Sequence, residues 1–202
     1  MAGARVLIAS AASAGPDGVT GARAGGVTGA RAHAFGRALP SWAVPATVGA
    51  LTALALVLRL LGLHESLFGD EIFTYDIVTR NDLGSVLSTV RATSITPPLH
   101  YVVAWAAVQF GDPHTVVRVP SIIFGTLAVP MLYLLGTRTV GRSAGLLAAL
   151  LLAISPFAVW YGEEARTYAL VMLLVVCAAY AVVRARDATR RAWRWWLAFA
   201  LA

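Results

Sequence analysis

Residues 42–63 read WAVPATVGALTALALVLRLLGL, an apolar run that contains one charged residue, Arg59. An α-helix of this length extends about 33 Å, enough to cross a bilayer hydrocarbon core of about 30 Å. Pro45 falls in the first turn, where its missing N–H is tolerated. The run therefore predicts a membrane-spanning helix. We expect Arg59, in its last turns, to extend its guanidinium outward to the membrane surface.

Other apolar segments follow along the chain, at about residues 119–135, 144–161 and 168–183, and a further one starts near Trp195. The chain has 202 residues, of which 58% are hydrophobic and 13% are charged. Soluble domains have about 45–50% apolar and about 25% charged residues. These patterns predict an all-α, polytopic membrane helix bundle. They argue against a soluble enzyme, a nucleic-acid-binding protein and a disordered regulator.

The two ends of the chain lead to separate expectations. Residues 1–40 are rich in Gly and Ala and contain the string GVTGARA twice, which predicts a disordered cytoplasmic tail. Residues 41–202 are expected to form a transmembrane domain. The run from 195 to 202 is shorter than a span, so we expect this to be the N-terminal part of a longer protein, inactive by itself. The single cysteine, Cys177, lies in an apolar segment and excludes a disulfide framework.

The distribution of charge predicts the orientation. The apolar stretch 99–110 is too short to span a bilayer and is expected to be an interfacial or re-entrant helix. Eleven of the 16 arginines then lie on the side of the N-terminal tail, and the positive-inside rule makes that side cytoplasmic. Eight of the ten acidic residues fall on the outer side, mostly in a loop over residues 64–118.

This outer loop is too long for a simple connector. Its apolar side chains recur at three- and four-residue steps, and they are Ile72, Tyr75, Thr79, Leu83, Val86, Leu87 and Val90. The spacing predicts amphipathic juxtamembrane helices. Packing against the bundle, without any site, would explain the same residues.

Several residues on the outer side suit chemistry on a substrate that lies half in lipid and half in water. The adjacent Asp70 and Glu71 can supply a general base or bind a hard cation, or they can simply cap a helix. His100, in the string TPPLHY at 96–101, can bind phosphate or a metal, or it can be structural. Arg118 opens the second segment and can be an interface anchor.

The short outer loop YGEEARTY at 161–168 contains Glu163, Glu164 and Arg166. Acids at the start of a helix suit its dipole, and Glu163 and Arg166 are an i,i+3 pair, so a purely structural role is open. Arginine is scarce on this side of the chain and is suited to bidentate recognition of phosphate.

These strings, taken in order, resemble the C-type glycosyltransferases. The matching residues are LRL at 58–60, SLFGDE at 66–71, TPPLHY at 96–101, RVPS at 118–121 with Gly125, and YGEEARTYAL at 161–170. The resemblance covers about residues 42–202. It is greatest to the bacterial branch of the protein O-mannosyltransferase and lipid A aminoarabinose transferase superfamily, whose members are longer and have more spanning segments.

The resemblance implies a membrane enzyme that moves a sugar from a polyprenyl-phosphate donor to a lipid, glycan or protein acceptor on the extracytoplasmic face, with inversion. It implies that Asp70 is the catalytic acid residue, and we predict that Glu71 shares this role. The leaving phosphate needs a cation, for which Arg166, Arg118 and His100 are the candidates. Glu163, Glu164 and Tyr101 are predicted to orient the acceptor or hold a metal. A divalent cation is an optional cofactor.

Two other functions remain open from the sequence. A transporter or flippase for a lipid-linked substrate would place ionisable groups near the bilayer midplane, whereas here they lie at segment ends. A non-catalytic membrane assembly subunit would not need Asp70.

Overall fold

The computed structural model describes residues 42–80, 82–93, 96–188 and 192–202, and these contain helices and no strands. The predicted all-α fold is confirmed. In chain order the helices are α1 (Ala43–Leu61), α2 (Asp70–Arg80), α3 (Leu83–Thr93), α4 (Leu99–Val108), α5 (Pro113–Val116), α6 (Val119–Thr139), α7 (Arg142–Ile154), α8 (Pro156–Glu163), α9 (Tyr168–Asp187) and α10 (Ala192–Leu201). The predicted disordered tail lies outside the described residues.

Three stretches of the described chain are long and apolar enough to cross a membrane. They are Ala43–Leu61, Pro113–Thr139 and Tyr168–Asp187, and the second of these combines α5 with α6. Many of their large apolar side chains are exposed at the surface of the bundle, among them Leu61, Ile123 and Val175. Exposed leucine, isoleucine and valine along a long helix are what a lipid environment favours.

The predicted segment 144–161 consists of two helices, α7 and α8, which are bent by 58° relative to each other. The break lies at Ser155, whose backbone is extended because the following residue is Pro156. The Ser155 hydroxyl accepts a hydrogen bond from the Ala158 N–H and so caps α8. The pair is therefore a broken span or a re-entrant hairpin, which apolarity alone did not reveal.

The helices between α1 and α6 form a small core of their own. Helices α2 and α3 pack against α4, and their buried side chains are Ile77, Val78, Val86, Val90, Tyr101, Ala104 and Val108. Val117 and Ala165 join this cluster, so it includes the segments that precede α6 and follow α8. Helices α2, α3 and α4 thus share a core with both the segment that precedes α6 and the segment that follows α8.

Helix α6 is the centre of the spanning bundle, packing against α1, α7, α8 and α9. Its contact with α7 is a close approach of two glycines. A Cβ added at Gly136 would lie 2.6 Å from the Cα of Gly145. Small residues at such crossings allow helix backbones to approach closely in membranes.

We expect Gly136→Ala to lower the free energy of unfolding by about 1–3 kcal/mol, because the added methyl group meets backbone that cannot move aside. Gly49→Ala is the matched control, since Gly49 lies within α1 and a Cβ there has no neighbour within 4 Å. Alanine at Gly49 should be neutral or stabilising. Thermal unfolding of both variants in detergent measures the difference, and equal Tm values would contradict the glycine contact.

Candidate active site

The site is built around a buried ion pair between Glu71 and Arg118. Glu71 lies in the first turn of α2, and Arg118 immediately precedes α6. Arg118 Nε donates to Glu71 Oε1 at 2.8 Å, and Nη2 donates to Oε2 at 2.6 Å. The Arg118 side chain is only 6% exposed and the Glu71 side chain only 4%. This is the bidentate geometry that gives the strongest arginine–carboxylate pairs.

Arg118 also binds the turn that follows α1. Its Nη1 donates to the carbonyls of Gly62 at 2.7 Å and Glu65 at 2.9 Å, and its Nη2 donates to the carbonyl of Ser66 at 3.2 Å. Carbonyls just beyond the end of a helix lack partners within the helix. Arg118 therefore satisfies the end of α1 and fixes the turn that leads into α2.

Glu71 accepts two further hydrogen bonds from the backbone. The Ala165 N–H donates to Oε1 at 2.8 Å, and the Phe68 N–H donates to Oε2 at 3.4 Å. Burial raises the pKa of Glu71, but the hydrogen bonds from Arg118 and Ala165 and the arginine charge lower it more, so the net shift is downward. The buried carboxylate is ionised at neutral pH.

Asp70 and Arg166 lie beside this buried pair and form a second, more open one. Arg166 Nη2 is 3.3 Å from Asp70 Oδ2. Asp70 is 72% exposed, whereas Arg166 is 17% exposed. Gly69, which precedes Asp70, has a left-handed φ of 54°, a conformation that favours glycine. The Ser121 hydroxyl donates to the Arg166 carbonyl at 3.2 Å and steadies the segment between α8 and α9.

A small polar cavity adjoins the buried pair. It has a volume of about 60 Å³, and it is lined by Gly62, Glu65, Ser66, Phe68, Glu71, Arg118, Trp160, Glu163 and Glu164. The Trp160 indole N–H donates to Glu164 Oε1 at 2.8 Å. Burial raises the pKa of Glu164, the Trp160 hydrogen bond opposes that shift, and the nearby acids add to it. Glu163 and Glu164 thus share a cavity wall with Glu71.

His100 and Tyr101, in the first turn of α4, are both buried. His100 has no exposed surface, and its ring is within reach of the Ala165 main chain. Burial lowers the pKa of His100 to about 4, with the Ala165 main chain opposing the shift and Arg166 adding to it. The ring is neutral at physiological pH. Tyr101 belongs to the apolar core. A contact of either side chain with substrate stays a prediction.

The Arg59 side chain is buried between helices and not extended outward, so that expectation is wrong. Its side chain is fully buried, with Nη1 donating to the Ala55 carbonyl at 2.9 Å and Nη2 to the Ala158 carbonyl at 3.1 Å. A Cβ added at Gly125 would lie 2.8 Å from Arg59 Nε, and a Cβ added at Gly162 would lie 2.5 Å from it. The two glycines leave a slot for the guanidinium between α6 and α8.

An apolar cavity of about 570 Å³ lies at Thr167, the residue after Arg166. Its lining residues are Thr96, Phe157, Ala158, Tyr161, Thr167, Tyr168, Val171 and Met172. The rings of Phe157 and Tyr161 are 4.5 Å apart, and those of Tyr161 and Tyr168 are 4.7 Å apart. Sequence reasoning missed this cavity, because its aromatic side chains come from both sides of the loop at 164–167.

The structure therefore brings together Asp70, Glu71, Arg118 and Arg166, with Glu163 and Glu164 at the neighbouring cavity. Among the described residues, no group of three or more histidine, cysteine or acidic side chains has an arrangement that could hold a metal ion. The optional divalent cation stays a prediction.

Residues 95–202 match the family described as dolichyl-phosphate-mannose-protein mannosyltransferase. The match covers more than half of the chain, so the chain belongs to this family and is a membrane glycosyltransferase of the mannosyltransferase type. The resemblance to C-type glycosyltransferases is confirmed. No curated protein and no solved structure matches the chain.

The matched range contains Arg118, Ala165 and Arg166, whereas Asp70 and Glu71 precede it. Three contacts join the two parts: Glu71 with Arg118, Glu71 with Ala165, and Asp70 with Arg166. The acid residues therefore belong to the same site as the matched segment, although the family match alone does not include them.

The buried pair predicts a pH-dependent stability. Because the pKa of Glu71 is lower in the folded chain than its usual 4.5, its contribution is present above about pH 4.5 and is lost as pH falls through the folded pKa. We expect the Tm advantage of the wild type over Glu71→Gln to be constant from about pH 8 to pH 6 and to shrink below about pH 4.5.

Asp76→Asn is the control for this measurement, since Asp76 forms an exposed i,i+4 pair with Arg80 on the same helix. Its effect on Tm should be small at neutral pH. A gap between the wild type and Glu71→Gln that persists unchanged at about pH 3 would contradict the assignment of Glu71 as ionised in the fold.

Proposed function

We propose that this member of the mannosyltransferase family transfers a sugar from a polyprenyl-phosphate donor to an acceptor hydroxyl, with Asp70 as the general base. The observation that carries the proposal is the ion pair of Asp70 with Arg166 at 3.3 Å. It places an accessible carboxylate next to a cation whose backbone is held in place. A general base for the hydroxyl and a cation for the leaving phosphate are the two groups that this transfer requires.

The proposed reaction is a single displacement. The acceptor hydroxyl gives its proton to the Asp70 carboxylate as its oxygen attacks the anomeric carbon of the donor sugar. The bond from that carbon to the phosphate oxygen breaks on the opposite face, so the configuration inverts. The electron pair of that bond goes to the polyprenyl phosphate, and Arg166 stabilises the charge that develops there.

The apolar cavity at Thr167 suits the lipid part of the donor. Thr167 lines that cavity and follows Arg166 directly in the chain. An isoprenoid chain that lies against Phe157, Tyr161 and Tyr168 would place its phosphate near the guanidinium. Ligand cavities combine such an apolar wall with a few convergent polar groups.

Glu163 and Glu164 are proposed to orient the acceptor. Both line the small cavity beside the buried pair, where the carboxylates can accept hydrogen bonds from hydroxyl groups. The proposed acceptor is a hydroxyl of a lipid, a glycan or a protein.

The proposed orientation places the site on the extracytoplasmic face and the N-terminus in the cytoplasm. Arg118 stands at the start of α6 and Glu163 at the end of α8. Arg138, Arg142 and Arg184 stand at the opposite ends of α6, α7 and α9, and Arg138 is 3.8 Å from Asp187. The arginine-rich end faces the cytoplasm by the positive-inside rule.

Asp70→Asn tests the assigned base. The amide keeps the size of the carboxylate but accepts no proton, so transfer by the full-length enzyme should fall by about 10²–10⁴-fold. The measurement is the rate of sugar transfer from a polyprenyl-phosphate donor in detergent or nanodiscs. Asp76→Asn on the same helix is the matched control and should keep the wild-type rate.

Undiminished transfer by Asp70→Asn would remove the assigned role. If the wild type transfers no sugar but transports a lipid-linked substrate, and Asp70→Asn loses that transport, the flippase would be favoured. Normal function of the assembled complex with Asp70→Ala would favour the non-catalytic subunit.

Arg166→Gln tests the phosphate contact. Removing the cation should weaken the transition state more than the ground state, so kcat and kcat/KM should fall together by about 10²–10³-fold. Arg166→Lys keeps the charge and should recover part of the loss. Variants with wild-type kcat for the same donor would exclude Arg166 from the reaction.

A further inference from the structure

Arg118 has no hydrogen-bond donor left for a substrate. A guanidinium has five N–H groups. In Arg118 the Nε–H donates to Glu71 Oε1. The two N–H groups on Nη1 donate to the Gly62 and Glu65 carbonyls. The two N–H groups on Nη2 donate to Glu71 Oε2 and to the Ser66 carbonyl. Binding a donor phosphate would break one of these buried contacts.

The Glu71 carboxylate is equally saturated. An ionised carboxylate has about four acceptor positions. Oε1 accepts from Arg118 Nε and the Ala165 N–H, and Oε2 accepts from Arg118 Nη2 and the Phe68 N–H. With a side chain only 4% exposed and all four acceptor positions filled, Glu71 has no free lone pair for a hydroxyl.

The contacts of Glu71 and Arg118 hold Asp70 close to Arg166. Asp70 is the residue before Glu71, and Arg166 is the residue after Ala165, whose N–H Glu71 binds. An exposed ion pair such as that of Asp70 with Arg166 stabilises little by itself. The buried contacts therefore determine the distance between them.

We infer that Glu71 and Arg118 are positioning residues of the transfer reaction: they hold Asp70 and Arg166 side by side and touch neither substrate. This inference rests on the proposed function of Asp70 and Arg166. It replaces the catalytic role predicted for Glu71 and the phosphate-binding role predicted for Arg118.

The kinetic test compares Glu71→Gln with Asp70→Asn in the full-length enzyme across a range of pH. A glutamine has one acceptor oxygen where glutamate has two. The variant therefore loses the hydrogen bond from either the Ala165 N–H or the Phe68 N–H, and also one of the two hydrogen bonds from Arg118. We expect a loss in kcat of about 10²-fold or less, the size of effect that a shift of about 1 Å produces.

The pH profile separates positioning from proton transfer. If Asp70 is the base, the fall of kcat/KM on the acidic side persists in Glu71→Gln and disappears from the residual activity of Asp70→Asn. If Glu71 is the base, the acidic fall of kcat/KM persists in Asp70→Asn and disappears in Glu71→Gln, and the inference is overturned. Arg118→Lys keeps the charge but offers only three donors, and it should keep the acidic fall at a reduced kcat.

A second measurement needs no substrate. Amide hydrogen exchange of the detergent-solubilised protein should rise in Glu71→Gln within peptides that contain residues 66–69 or 163–167, and it should stay at the wild-type level in Asp70→Asn. Unchanged exchange in Glu71→Gln would overturn the inference. If the wild type transfers no sugar from any polyprenyl-phosphate donor, the proposed function fails, and hydrogen exchange alone decides whether the pair holds the two segments.

Discussion

The bidentate pair of Glu71 with Arg118 is the constraint on which the site depends. Removing two charges from water is costly, and their attraction offsets that cost only when their remaining hydrogen-bonding positions are also filled. Here they are filled by backbone from the loop between α1 and α2 and from the loop between α8 and α9. Together with the start of α6, which Arg118 precedes, satisfying one ion pair thus fixes three separate pieces of chain.

Arg59 shows the same principle inside the spanning bundle. Its guanidinium can be buried because Gly125 and Gly162 leave room for it and two helix carbonyls accept from it. An arginine in lipid would be expensive, so it lies between helices instead. It connects α1 to α8, and α8 ends at Glu163, which lines the polar cavity.

Burial divides the charged residues into two kinds. Glu71, Arg118 and Arg59 are enclosed and paired with protein groups, whereas Asp70 is exposed and Arg166 partly so. The adjacent acids Asp70 and Glu71 illustrate this difference most clearly. Successive residues at the start of a helix point in different directions, so one carboxylate enters the fold and the other faces the surroundings.

The membrane character, the helical fold and the position of the acids and Arg166 near segment ends can be predicted from the sequence, because helix periodicity, length and charge distribution are local properties. Which carboxylate is exposed, where the Arg59 side chain lies and that α7 and α8 are bent depend on tertiary contacts. Glu71 finds its partners 47 and 94 residues away. Hydrogen-bond saturation of a buried ion depends on such distant groups, and no local pattern contains them.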